Sequence, residues 1–67
     1  MTGNVLTERE TAEYLRMSIS WLRQARMNGH PEAPPYVKIG RAIRYLRADL
    51  DDWLLRQRRG GASATLR

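Results

Sequence analysis

The sequence predicts a small, mostly α domain with one β-hairpin, in the order helix, helix, hairpin, helix. Three observations predict it. Two helix-start signals, Thr7 and Ser18, stand so close that only a short turn can separate the helices they open. A proline-rich break, His30-Pro31-Glu32-Ala33-Pro34-Pro35, is followed by residues whose polarity alternates. Further on, Leu50, Trp53 and Leu54 recur at helical spacing.

The first helix opens on Leu6-Thr7-Glu8-Arg9-Glu10, the pattern of a capping box. The Thr7 hydroxyl can accept from the backbone N–H of Glu10 while the Glu10 carboxylate reaches back to the N–H of Thr7. This helix is expected from about Glu8 to Leu15, with Ala12 and Leu15 sharing a face. After Arg16-Met17, Ser18 is the N-cap of a second helix running from about Ile19 to Asn28, and Gly29 suits the residue that closes it. A linker of about two or three residues marks a helix-turn-helix rather than an antiparallel hairpin of helices.

The prolines that follow remove donors and fix φ, so no regular element is expected across them. In Tyr36-Val37-Lys38-Ile39, Val37 and Ile39 face one way and Lys38 the other. Gly40-Arg41 makes a two-residue hairpin turn with glycine where φ must be positive. In Ala42-Ile43-Arg44-Tyr45, Ile43 and Tyr45 point inward and Arg44 outward. Read this way, the hairpin has an apolar face for the core and a basic outer face with Arg41 at its tip. The closing helix is expected over about Ala48 to Arg58. Asp49, Asp51 and Asp52 lie in its first turns and Arg56, Arg58 and Arg59 in its last, as the helix dipole favours. Residues 1–59 then make one domain, and 60–67 read as a disordered C-terminal tail.

Composition narrows the function classes. A chain of 67 residues forms one domain that buries only about 60% of its unfolded surface, leaving little room for a substrate cavity. Cysteine is absent and His30 is the single histidine, which excludes thiolate and multi-histidine metal sites. No apolar run approaches the roughly 20 residues of a membrane span, and Met1 to Leu6 lacks the regions of a secretory signal. The net charge is +5, and all but one of the 12 basic residues are arginine, whose planar fork suits phosphates and guanine edges. The charge is also concentrated. Residues 1–15 set Arg9 against Glu8, Glu10 and Glu13, whereas residues 16–47 set Arg16, Arg23, Arg26, Lys38, Arg41, Arg44 and Arg47 against Glu32. That basic middle is what a nucleic-acid binder presents, but a generic soluble surface with scattered arginines presents it too, and charge alone does not separate the two.

Four stretches in this order resemble a known pattern: Leu6-Thr7-Glu8-Arg9-Glu10-Thr11-Ala12-Glu13-Tyr14-Leu15, Met17-Ser18-Ile19-Ser20-Trp21-Leu22, Pro35-Tyr36-Val37-Lys38-Ile39-Gly40-Arg41 with Ile43-Arg44-Tyr45, and Arg47-Ala48-Asp49-Leu50-Asp51-Asp52-Trp53-Leu54. The chain resembles the winged helix-turn-helix domains of excisionases and AlpA-like regulators, distant relatives of MerR DNA-binding domains. The resemblance covers residues 5–58 or so. It departs from the family at Thr11, where alanine is usual, at Arg16, a turn position often held by glycine, and at Trp21, which is larger than usual. A left-handed conformation at Arg16 would cost about 1 kcal/mol.

What the resemblance implies is a double-stranded DNA-binding protein that reads the major groove with its second helix and the backbone or minor groove with its wing. Ile19, Ser20, Arg23 and Gln24 occupy the first two turns of the reading helix. Arg23 can bond guanine O6 and N7, and Gln24 adenine N6 and N7. Ile19 either touches a thymine methyl or packs on the first helix, and Ser20 bonds a phosphate or a base. Lys38, Arg41 and Arg44 of the wing meet phosphates or a narrow minor groove. Arg16 and Arg26 are candidate phosphate clamps, with Ser18 a cap before it is a contact. Partners beyond DNA would be an integrase or further copies on adjacent sites. A bacterial or phage-encoded, cytoplasmic, nucleoid-associated protein is expected, with no cofactor, metal, membrane or small-molecule substrate.

Competing readings are weaker. Asp49, Asp51 and Asp52 lie on different faces of a helix start, where capping and dipole roles explain them better than a metal or acid–base cluster. His30 has no visible catalytic partner, and Trp53 reads as core. An enzyme is not expected. The main alternative is a protein-interaction adaptor on the same fold that has lost DNA binding, against which the basic middle speaks.

Overall fold

A computed structural model describes residues 4–58 of the chain. Its elements run β1 (Val5–Thr7), α1 (Glu8–Leu15), α2 (Ile19–Met27), β2 (Val37–Ile39), β3 (Ala42–Leu46) and α3 (Arg47–Arg56). The tail expected over residues 60–67 lies outside the described residues.

Capping sets the ends of α1 and α2. Thr7 N–H donates to Glu10 Oε1 at 2.9 Å and Glu10 N–H donates to Thr7 Oγ1 at 3.1 Å, the reciprocal capping box that the sequence predicts. Thr11, fully buried one turn in, donates its hydroxyl to the Thr7 carbonyl at 2.8 Å, so its burial leaves no polar group unsatisfied. Ser18 Oγ accepts from Trp21 N–H at 3.0 Å and starts α2.

Both helices close with the same pair of bonds. At α1, Met17 N–H reaches the Ala12 carbonyl and Arg16 N–H the Glu13 carbonyl. At α2, His30 N–H reaches Ala25 and Gly29 N–H reaches Arg26. This is the Schellman arrangement, which requires a left-handed residue just past the helix. Gly29 fills that place at φ 62 without steric cost, whereas Arg16 fills it at φ 58 with a Cβ in the way.

The strands form one antiparallel sheet in the order β1-β3-β2. β1 adds a strand that the sequence pattern did not reveal. It pairs Val5 with Leu46, Leu6 with Tyr45 and Thr7 with Arg44. In the hairpin, Val37 pairs with Arg44, Lys38 with Ile43 and Ile39 with Ala42. This register overturns the expected facing of β2. Directly paired residues of an antiparallel sheet share a face. Lys38 therefore stands on the core-side face with Ile43, and Val37 and Ile39 stand on the outer face with Arg44. The cause is the two-residue turn itself, which puts Ile39 opposite Ala42 and so opposes the two strands' apolar sets. Ile39 is 64% exposed in consequence.

Leu6, Ala12, Leu22, Tyr45 and Leu50 make the buried core, with Leu15, Ile19, Trp21 and Ile43 packed against it. Every element except β2 contributes to it. Trp53 is buried as well, and its Nε1 donates to the Glu32 carbonyl at 3.1 Å, tying the proline-rich loop to α3. α3 begins at Arg47, one residue earlier than expected, with Leu46 of β3 as an N-cap that makes no side-chain bond. The Tyr14 hydroxyl donates to Asp51, and the Arg47 guanidinium lies 5.1 Å from the centre of the Tyr14 ring, so α1 and α3 are clasped at the surface. The bond to Asp51 raises the Tyr14 pKa.

Candidate nucleic-acid interface

The faces of α2 have different tasks. Leu22 and Ala25 are buried and hold the helix on the core. On the opposite side Ser20, Gln24 and Met27 follow one another at i, i+4 and i+7, and all are exposed, Met27 at 73%. A third stripe, Ile19, Arg23 and Arg26, runs along the flank. Ile19 is half-buried and packs against the core cluster.

Arg23 and Arg26 both turn to Glu8, the first residue of α1. Arg26 Nε donates to Glu8 Oε2 at 2.9 Å, and Arg23 Nε donates to Glu8 Oε1 at 3.3 Å. The bond to Glu8 raises the Arg26 pKa further. The cluster continues inward to Tyr45, whose ring tilts against Tyr36 at 6.2 Å between centroids. Burial pushes the Tyr45 hydroxyl up to about 12, and it lies in the field of both Arg26 and Glu8.

The turn between the helices carries Arg16, exposed and left-handed, and Ser18, whose hydroxyl is used as the α2 cap. In the hairpin, Gly40 takes φ 62 and Arg41 follows it at the exposed tip. Arg41 is the second central residue of the turn, and positive φ at the first alone is the type II′ pattern. Lys38 is exposed on the edge strand, while Arg44 is half-buried and its Nη1 donates to the Ile43 carbonyl at 2.8 Å. The wing cations thus do not line one face. Arg41 projects at the tip, and Lys38 and Arg44 take opposite sides of the strands.

Two features escaped the sequence reading. Met27 completes the exposed stripe of α2, and its i+7 spacing from Ser20 was the available signal. Glu8 left no local signal, because its arginine partners lie 15 and 18 residues away. The acidic residues of α3 have ordinary roles. Asp52 pairs with Arg56 one turn on, and Asp49 lies in the first turn. Among the described residues no three His, Cys, Asp or Glu side chains group to hold a metal ion, and no helix is long and apolar enough to cross a membrane. An open apolar cleft of about 510 Å³ between the helical turn and α3 is lined by Leu15, Met17, Trp21, Trp53 and Leu54, among others.

Comparison with known proteins agrees with this geometry. No curated protein and no solved structure matches the chain. A family model described as a helix-turn-helix domain matches residues 5–58, which span β1 to the end of α3. With two capped helices around a tight turn and a basic hairpin beside them, the chain belongs to the helix-turn-helix domain family of DNA-binding proteins.

Proposed function

We propose that this chain binds duplex DNA in a sequence-specific manner, as an excisionase that sets the direction of recombination or as an AlpA-like transcription regulator. The observation that carries the reading is the exposed stripe of Ser20, Gln24 and Met27, flanked by Arg23, on a helix whose other face is locked in the core. Gln24 can pair with adenine N6 and N7, Arg23 with guanine O6 and N7, and Met27 offers an apolar contact to a thymine methyl. Arg16 and Arg41, at the two turns, reach for flanking phosphates or the minor groove, with Lys38 adding charge at the wing edge. Arg26 and Arg44, each held by an internal bond, contribute less to DNA contact than the sequence pattern implies.

A single module of this size buries about 600–1,000 Å² on DNA, so tight site occupancy calls for adjacent copies or an integrase partner. Selection of bound duplexes from a random library, followed by footprinting, tests the reading. Recovery of a common motif, with the protected region extending beyond one module as concentration rises, supports it. Retention of no duplex at low salt sinks it and favours the protein-interaction adaptor. Once a motif is known, its effect on integrase-driven excision and on a linked reporter separates the two cellular roles.

A further inference from the structure

The Glu8 carboxylate accepts from two arginines of the reading helix at once, and the two pairs are unequal. Arg26 meets it through Nε at 2.9 Å, with Nη2 a further 3.5 Å from Oε1. Arg23 meets it through Nε alone at 3.3 Å. The Arg26 side chain is 21% exposed and that of Glu8 14%, but that of Arg23 is 55% exposed. Glu8 is also the first residue of α1, where the helix dipole favours a negative charge. Withdrawing Arg26 would strand a largely desolvated carboxylate, whereas withdrawing Arg23 exchanges one well-hydrated contact for water.

We propose that Glu8 is a positioning residue for Arg23: Arg26 anchors its carboxylate, and the carboxylate holds Arg23 back until a base edge takes it. The inference rests on the DNA-binding reading above. At a non-specific site Arg23 would trade one exposed ion pair for another, with a lone phosphate, and the exchange gains little. A guanine offers O6 and N7 together, and a bidentate bond outweighs the surface pair it replaces. Arg23 therefore leaves Glu8 at a selected site and stays with it elsewhere, so the cost of breaking the pair falls on the specific complex. Arg26 stays with Glu8 in both states.

The test uses Glu8→Gln, which keeps the size of the side chain and removes its charge. Wild-type and variant proteins are titrated, across a range of salt, with a duplex that the wild type selects from a random library and with a scrambled duplex of equal length. On the selected duplex the variant is expected to bind roughly 3- to 5-fold more tightly, because only the wild type must break the Glu8–Arg23 pair there. On scrambled DNA the gain is smaller, less than about twofold, because in the wild type Arg23 can stay with Glu8 there and a lone phosphate returns little. Added to Arg23→Gln, the same substitution is expected to change selected-duplex binding by less than about twofold, since only the general charge effect is left. An unchanged affinity of Glu8→Gln for the selected duplex overturns the proposal, as does an equal gain on the Arg23→Gln background. Should the variant fail to fold, the Nε–Hε signals of ¹⁵N-labelled wild-type protein give the answer. Arg23 is expected to shift with the selected duplex while Arg26 stays in place, and the reverse pattern overturns the assignment. A wild type that binds no duplex at about 50 mM salt removes the DNA-binding reading and this inference with it. Binding with an unaltered Glu8→Gln removes the inference alone.

Discussion

Arg23 and Arg26 on α2 and Arg41 on the hairpin belong to the same basic surface, but they are held differently. The α2 arginines stand on a helix whose inner side, Leu22 and Ala25, is buried, and they are bonded to a carboxylate of the preceding helix. Arg41 stands on a glycine turn, beside an Ile39 that is largely exposed. A side chain that is already oriented loses less freedom on binding than one that must be ordered. On the proposed DNA-binding reading, Arg23 on its fixed helix is placed to discriminate, Arg26 stays with Glu8, and the hairpin supplies charge that tolerates small changes in DNA shape.

The largest effect that would separate the two regions is on stability. Leu22→Ala empties a fully buried site beneath the helix pair and is expected to cost about 2–5 kcal/mol, whereas Ile39→Ala stays within about 0.5 kcal/mol. Urea unfolding of both variants measures the contrast, and comparable losses would break it. A second difference lies in alkaline pH. Tyr45 is held at about 12 against an ordinary value of 10.0, so the fold favours its neutral form. That stabilisation is complete below about pH 10 and is lost as pH rises towards 12. Tyr14, raised by its bond to Asp51, acts in the same direction, so Tyr45→Phe should flatten part of the fall in melting temperature. A full, unchanged fall in that variant would place the titration elsewhere.

Smaller effects sharpen the comparison at the turn. Ser18→Ala removes the α2 cap and is expected to cost about 1 kcal/mol. Arg16→Gly relieves the left-handed strain at the same turn and is expected to add about 0.5–1 kcal/mol, while weakening DNA binding through loss of a phosphate contact. A stabilised variant with undiminished affinity would mean that Arg16 does not touch DNA. At the hairpin, Arg41→Ala should leave stability within about 0.5 kcal/mol and lower the salt slope by about 1. The first is read by thermal melting and the second by titration.

How much of this was legible depended on how local the cause was. The capping box at Thr7, the Ser18 cap and the Gly29 closure act within a few residues, and α1 runs over the expected Glu8–Leu15. The left-handed residue at Arg16 was legible only through the resemblance to a family that often has glycine at that turn position. β1 was not, because a strand of three residues shows no period and exists through pairing with β3, far along the chain. The facing of Lys38 was misread for a different reason. Alternation along each strand alone leaves their relative facing open, and the two-residue turn determines which residues stand opposite each other. At the site, exposure of Ser20 and Gln24 followed from the helical period, and so could Met27. Glu8 depended on a tertiary contact between helices that no spacing rule predicts.

The measurement closest to the central claim is an NMR titration of the ¹⁵N-labelled protein with duplexes selected from a random library, at low and at raised salt. The account predicts amide shifts at Ser20, Arg23, Gln24 and Met27 along α2 and at Arg41 on the wing, all weakening as salt rises. Little change is expected across Asp52 to Arg56 of α3. If the α2 and wing amides stay still at low salt, or if the shifts gather instead on α3 and the cleft around Trp53, the helix-and-wing interface is contradicted.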